Sequence, residues 1–272
     1  MILVERQQPS HWYLPDGTPY HTVARADGKG ERPVTLRDAR KVGALPSVTN
    51  RLSVLAKPGL DAWRVEQGIL SALTLPKGAD ESLDQFAKRV VEDSMSQVNK
   101  ASELGSLVHS AAEDYLISKV LPKDPQIVSL FEPFKTWLDN HVEAVALCER
   151  VVIHEIEGYA GRLDLCARVK DVGLAVIDFK TQNVKLDKPT LYETWPLQLE
   201  AYRQAILAKD DPFLKPTHLI SVVINTNKPG VFPHVWDTAE YEEHWKAFKN
   251  ASFLWSYLKK YSPVVKQLKQ AA

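Results

Sequence analysis

Two acids and a lysine fall where the chain otherwise runs apolar. In Leu174-Ala175-Val176-Ile177-Asp178-Phe179-Lys180 an aspartate and a lysine close a hydrophobic run. If that run is a strand, alternate side chains share a face, so Asp178 and Lys180 project together, about 7 Å apart along the backbone. Burying either is costly unless it is paired or bound to a metal. Asp164 lies 14 residues earlier, on the preceding predicted strand, where an antiparallel turn brings it beside Asp178. Carboxylates that close repel each other, and a divalent cation is the usual means of keeping both ionised. Mg²⁺ or Mn²⁺ on such hard oxygens can polarise a phosphodiester and lower the pKa of a bound water. A neighbouring ammonium can position that water or offset charge developing on the phosphate. Taken alone, Asp-X-Lys is more often a surface ion pair, Asp178 with Lys180 and Asp164 with Arg162.

The order of the surrounding motifs changes that balance. Gly161-Arg162-Leu163-Asp164 is followed by Asp178-Phe179-Lys180 and then by Gln198-Leu199-Glu200-Ala201-Tyr202, while upstream stands Gly105-Ser106-Leu107-Val108-His109. This series resembles that of the PD-(D/E)XK nuclease superfamily. It is most similar to the RecB-like exonuclease branch, with its phage exonucleases, CRISPR adaptation nucleases and mitochondrial genome maintenance exonuclease. Pro46-Ser47-Val48-Thr49 and Lys57-Pro58-Gly59-Leu60 are similar to the N-terminal region of phage members. The resemblance implies an α/β fold, a restriction-endonuclease-like αβββαβ core with a central mixed sheet flanked by helices, carrying an N-terminal β-hairpin and helical additions. It implies His109, Asp164, Asp178 and the Phe179 carbonyl as ligands of Mg²⁺ or Mn²⁺, and Lys180 as the catalytic lysine. Gln198 and Tyr202, four apart on one helix face, would flank the site and assist the substrate or the lysine. The implied activity is hydrolysis of DNA at single- or double-stranded ends, in recombination, repair or phage DNA processing, alongside a recombination or single-strand-binding protein. The competing reading is a non-cleaving nucleic-acid-binding or assembly protein that keeps the fold. An intact Asp164, Asp178 and Lys180 set argues against it. The two cysteines, Cys148 and Cys166, are too few for the four-cysteine iron–sulfur cluster of many CRISPR adaptation nucleases, and no P-loop supplies a helicase.

Other residues carry weaker signals. Glu113 follows His109 by one helical turn and Glu155 precedes Asp164 on the adjoining strand; either could support a second metal, though surface roles are commoner. Trp12, Trp63 and Trp195 could stack bases, and Arg51, Lys57 and Arg64 could contact phosphate. Trp245, Phe248 and Trp255 read as core.

The elements that must position these groups follow from periodicity. Asp16-Gly17 and Asp27-Gly28 flank Tyr20–Ala24, so short strands joined by tight turns are expected, with Pro9, Pro15 and Gly30 adding turn signals. Asn50–Ala56 and Leu60 to about Gln67 read as helical stretches broken by Lys57-Pro58-Gly59. Residues 80–119 read as one helix or two with Gly105 interrupting, and Ile127 to about Val142 as an amphipathic helix. The period then changes to two. A strand opens at Val151, Gly158–Gly161 turns it, and Arg162–Val169 alternates with Asp164 opposite Leu163, Leu165, Ala167 and Val169. Leu174–Lys180 makes the third strand of an antiparallel meander. A helix over about Trp195–Ala208, strands at His218–Asn225 and Val231–Trp236, and a helix over about Ala239–Tyr261 complete the chain. These patterns divide it into an N-terminal hairpin and helical region, 1–100, packed on a nuclease core, 101–272.

Composition narrows the class without choosing the activity. The 272 residues, 44% hydrophobic, suffice for a substantial core. Two cysteines exclude a disulfide framework or a four-cysteine metal site from this chain, which fits a reducing cytoplasm, and Met1–Arg6 shows no apolar stretch of a secretory signal. Net charge is zero, yet residues 1–64 and 161–272 each carry +4 while 65–160 carry −8. One basic groove for phosphate is therefore compatible with overall neutrality, and so is an ordinary solvated surface.

Overall fold

The structure is a computed structural model. It describes residues 11–185 and 188–263, with the backbone only of Gln97 and Val98. Met1–Arg6 and Pro9, read above, lie outside the described residues. The chain forms two compact units, Met1–Val54 with Glu132–Ala272, and Leu55–Phe131.

The first unit opens with short strands. β1 (Trp12–Tyr13) is followed by β2 (Thr22–Ala24) and β3 (Glu31–Pro33), which form the expected hairpin. A helix not expected from the sequence follows, α1 (Leu36–Val42). Its signal is a capping box: Thr35 accepts the Asp38 N–H while the Asp38 carboxylate accepts the Thr35 N–H at 3.0 Å. Arg32 clasps the same carboxylate with two nitrogens, at 2.7 and 3.0 Å. β4 (Leu45–Pro46) pairs back onto β1, and α2 (Val48–Arg51) starts at the Ser47 cap.

Arg51 corrects an expectation. It is 1% exposed, donates to the Gly158 carbonyl at 2.8 Å, the Ser252 carbonyl at 3.3 Å and the Ser256 hydroxyl, and lies 4.6 Å from the centre of the Trp255 ring. A buried guanidinium needs this many acceptors to offset its desolvation. The residue therefore joins distant segments and is closed to phosphate. Trp12 is likewise core, 2% exposed with its ring centre 6.0 Å from that of Trp255.

The second unit is helical. α3 (Pro58–Thr74) begins at the proline that the sequence marks as a break, because a proline at the first helical position loses no hydrogen bond. α4 (Leu83–Ser118) has its own capping box, Ser82 with Gln85, and runs unbroken through Gly105. One internal glycine costs a helix only about 1 kcal/mol, which 36 residues of helix absorb. Ser71 on α3 donates to Asp93 on α4 at 2.7 Å. Position 100, the boundary read from the sequence, falls inside α4.

α5 (Pro125–His141) leads into the sheet: β5 (Val142–His154), β6 (Tyr159–Val169), β7 (Gly173–Gln182), α6 (Thr194–Leu207), β8 (His218–Asn225), β9 (Val231–Val235) and, after a short turn of helix, α7 (Tyr241–Lys259). The strands lie side by side in chain order. Pairings are antiparallel except β7 with β8, where α6 supplies the crossover that a parallel pair requires. This is a five-stranded mixed sheet in the αβββαβ order of the restriction-endonuclease-like fold. β8 is buried from Leu219 to Asn225, as a central strand covered on both faces should be. β5 starts nine residues before the expected Val151. It is exposed or half-buried almost throughout and carries two register shifts, so an edge strand of this kind shows little alternation to read. Among the described residues, no helix is long and apolar enough to cross a membrane.

Candidate active site

The site grows from a gap in the sheet. The β6–β7 ladder ends at Leu165↔Ile177, one pair short of Asp164 and Asp178. Beyond that point β6 stays with β5 and β7 continues with β8. The Phe179 N–H, which has left the β6 ladder, is taken by a side chain: it donates to Asp164 Oδ2 at 2.7 Å. That bond fixes Asp164 at the edge of the opening.

Strand alternation then divides β7. Phe179 is buried, with the Phe134 ring of α5 edge-on at 4.8 Å. Its neighbours Asp178 and Lys180 therefore point to the other face, where their charged groups form an ion pair. The Asp178 side chain is 3% exposed and that of Lys180 is 23% exposed. Gln198, from the facing side of α6, connects the set. Its amide nitrogen donates to Asp178 Oδ1 at 3.0 Å and to the Tyr202 hydroxyl at 3.2 Å, while its oxygen accepts from Lys180 at 3.4 Å. Asp164, Asp178, Lys180, Gln198 and Tyr202 thus stand together. Burial first, then the Asp178 and Asp164 charges, pushes the Tyr202 phenol well above its usual range, so it serves as a neutral hydrogen-bonding group.

The glycine of Gly161-Arg162-Leu163-Asp164 has a steric reason. A β-carbon built there would lie 2.6 Å from Tyr202 Cε1 and 3.4 Å from the Tyr202 hydroxyl oxygen. The bare backbone at 161 is what lets that ring reach Gln198.

The sequence missed one acid here. Between the pairs Cys148↔Leu165 and Arg150↔Leu163, Glu149 stands opposite Asp164, and the two offer carboxylate oxygens within 4.8 Å of each other. Glu149 has φ +50°, uncommon for a residue with a side chain, and pairs with Arg162 at 2.7 Å. The register would have revealed it, since the hairpin pairs His154 with Tyr159. Placing the turn at Gly158–Gly161 shifts that count. Glu155 lies in the turn after β5, exposed and ion-paired with Lys209. His109 and Glu113 belong to the other unit, half-buried on α4.

The donor set fits a hard divalent cation. Asp178 Oδ2 is buried without a hydrogen bond and faces the Lys180 ammonium, and carboxylates of this density favour Mg²⁺-like ions over soft metals.

A model of the PD-(D/E)XK nuclease superfamily matches residues 82–252, more than half of the chain. The chain belongs to that superfamily. As a PD-(D/E)XK protein it carries the acid–X–lysine element on β7, and membership suggests nuclease activity that uses a divalent metal. A solved structure titled "Crystal structure of SSO0001" is 16% identical, with 70% of this chain and 84% of that chain covered at a TM-score of 0.31. A similarity of that strength carries no argument. No curated protein matches the chain significantly.

Proposed function

We propose that this PD-(D/E)XK protein is a Mg²⁺- or Mn²⁺-dependent deoxyribonuclease that works on DNA ends as an exonuclease of the RecB-like branch. The observation that carries the proposal is the junction of Asp164, Asp178, Lys180, Gln198 and Tyr202 where β6 and β7 part. Asp164, Asp178 and the Phe179 carbonyl would hold the metal, joined by His109 on the strength of the family resemblance. When bound, the cation polarises the phosphodiester and lowers the pKa of water.

The chain's own groups divide the remaining work. Asp164 is held through Oδ2 by the Phe179 N–H, which keeps its carboxylate at the edge of the opening. The Lys180 ammonium, held by Asp178 and the Gln198 oxygen, is placed to orient a water and to offset charge on the phosphate. Gln198 sets the spacing between acid and lysine, and Tyr202 holds Gln198. The buried side of β7 keeps the acid and the lysine from rotating away.

End-labelled linear and covalently closed circular DNA, single- and double-stranded, is incubated with Mg²⁺, Mn²⁺ or EDTA. Asp178→Ala and Lys180→Ala are run beside the parent chain. The expected result is metal-dependent cleavage of linear DNA that falls at least about 100-fold in each variant. Cleavage in EDTA, or full activity in both variants, would refute the nuclease reading. Cutting of closed circles would remove the exonuclease assignment. Tight binding without cleavage would favour the non-cleaving alternative.

A further inference from the structure

The active-site face of β7 continues past the lysine. Asp178, Lys180 and Gln182 alternate on one side of the strand. Gln182 is engaged with a segment beyond β7: its amide oxygen accepts the Thr190 N–H at 2.7 Å and its amide nitrogen donates to the Thr190 carbonyl at 3.1 Å. Asn225 at the end of β8 makes the same two-way grip on Val184, at 3.0 and 3.2 Å. The chain entering α6 is therefore anchored to the sheet.

That anchored segment carries two aromatic rings. Tyr192 is 39% exposed and Trp195, in the first turn of α6, is half-buried. Their ring centres are 5.2 Å apart at an interplanar angle of 71°, and the Trp195 N–H donates to the Tyr192 carbonyl at 2.9 Å. The Lys180 ammonium lies 5.9 Å from the centre of the Trp195 ring. Successive nucleotides advance by about 3.4 Å, so the Trp195 ring stands within two nucleotide steps of the lysine that the proposed function puts at the scissile phosphate, with Tyr192 against that ring.

We propose that Trp195 and Tyr192 form a stacking platform for an unpaired nucleobase beside the scissile phosphate, making the preferred substrate a single-stranded or frayed DNA end. The inference rests on the nuclease reading. An indole face is matched to a nucleobase, and stacking accepts any base because every base has a π-face. A base in the interior of a duplex is covered by its neighbours and cannot use the platform. Selectivity for unpaired ends follows, without sequence preference.

The test pairs protein and DNA changes. Single-stranded 12-mers, each with one abasic position, are compared with the intact 12-mer and with a blunt hairpin duplex. Binding is measured by anisotropy on the Asp178→Asn chain in Mg²⁺, and kcat and KM on the otherwise unaltered chain, each alone and with Trp195→Ala, Trp195→Phe or Tyr192→Ala. One abasic position near the cut is expected to weaken binding about 5- to 150-fold, and to add almost nothing once Trp195→Ala is present. KM for single strands should rise by a similar factor, with kcat changed less than about threefold and Trp195→Phe restoring most of the affinity. Cleavage that proceeds while no abasic position couples to Trp195 or Tyr192 would overturn the platform and leave the nuclease reading standing. Equal losses on the blunt hairpin and the single strand would overturn it too. Neither binding nor cleavage in the unaltered chain would overturn both.

Discussion

Gly161→Ala tests the arrangement of the site through a single methyl group. Carbon atoms in favourable contact sit about 3.5–4.0 Å apart, whereas the new methyl would meet Tyr202 Cε1 at 2.6 Å. The ring would have to retreat by about 1 Å. It is 4% exposed, so it cannot swing into solvent, and Val48 Cγ2, 3.4 Å from the same methyl, limits the opposite route. Overpacking of this size costs about 1–3 kcal/mol, a fall in Tm of roughly 2–5 °C for a chain of this size. The larger effect falls on the chemistry. Retreat of the ring strains the 3.2 Å bond from Gln198 to the Tyr202 hydroxyl, and Gln198 also holds Asp178 and Lys180. A displacement of about 1 Å in a positioning group can cost about 100-fold in rate, so kcat should fall by roughly 10- to 100-fold. The assay is kcat at saturating Mg²⁺ together with thermal melting, for Gly161→Ala, Tyr202→Ala and the double variant. With the ring removed the 2.6 Å clash is gone and Val48 Cγ2 stands at close to ordinary contact distance, so the methyl's effect should nearly vanish in the double variant. If the two effects instead add within about 0.5 kcal/mol, the glycine does not act through Tyr202 and the steric account is wrong.

Two further outcomes are expected. Arg32 first, then Thr35, holds the Asp38 carboxyl well below its ordinary value of 3.8; a depressed acid contributes its full stability above that ordinary value and loses it progressively as pH falls from there through the depressed one. Melting temperature should therefore drop more steeply below pH about 4 in the parent than in Asp38→Asn, which should be less stable by on the order of 1 kcal/mol at neutral pH; parallel curves would remove the ion pair from the acid response. Glu149→Gln should raise the Mg²⁺ concentration needed for half-maximal cleavage by about tenfold if the acid opposite Asp164 supports the metal, and an unchanged titration would remove that role.

What could be read from the chain was local. Strand alternation placed Asp178 and Lys180 on one side of β7 and Asp164 on the polar side of β6, because a period of two needs no knowledge of neighbours. A spacing of four did the same for Gln198 and Tyr202 on α6. The ordered motifs pointed to the superfamily. Helix ends were less legible: the Thr35–Asp38 box was present in the sequence, but the surrounding turn residues masked it.

Only the tertiary structure decided how these pieces meet. Glu149 faces Asp164 because of a register set by the His154–Tyr159 hairpin, and a shift of one residue in that count moves every pairing. Arg51, one of several basic residues by sequence, became a core connector because Gly158, Ser252 and Ser256, far away in the chain, converge on it. The gap between β6 and β7, the Asp164 bond to Phe179 and the Gln198 hub likewise depend on which strand each backbone group leaves and joins. Periodicity is carried by each segment alone, so the sequence holds it openly. Register, close approach and the desolvation of a charge belong to pairs of segments, and they acquire values only when the chain has folded.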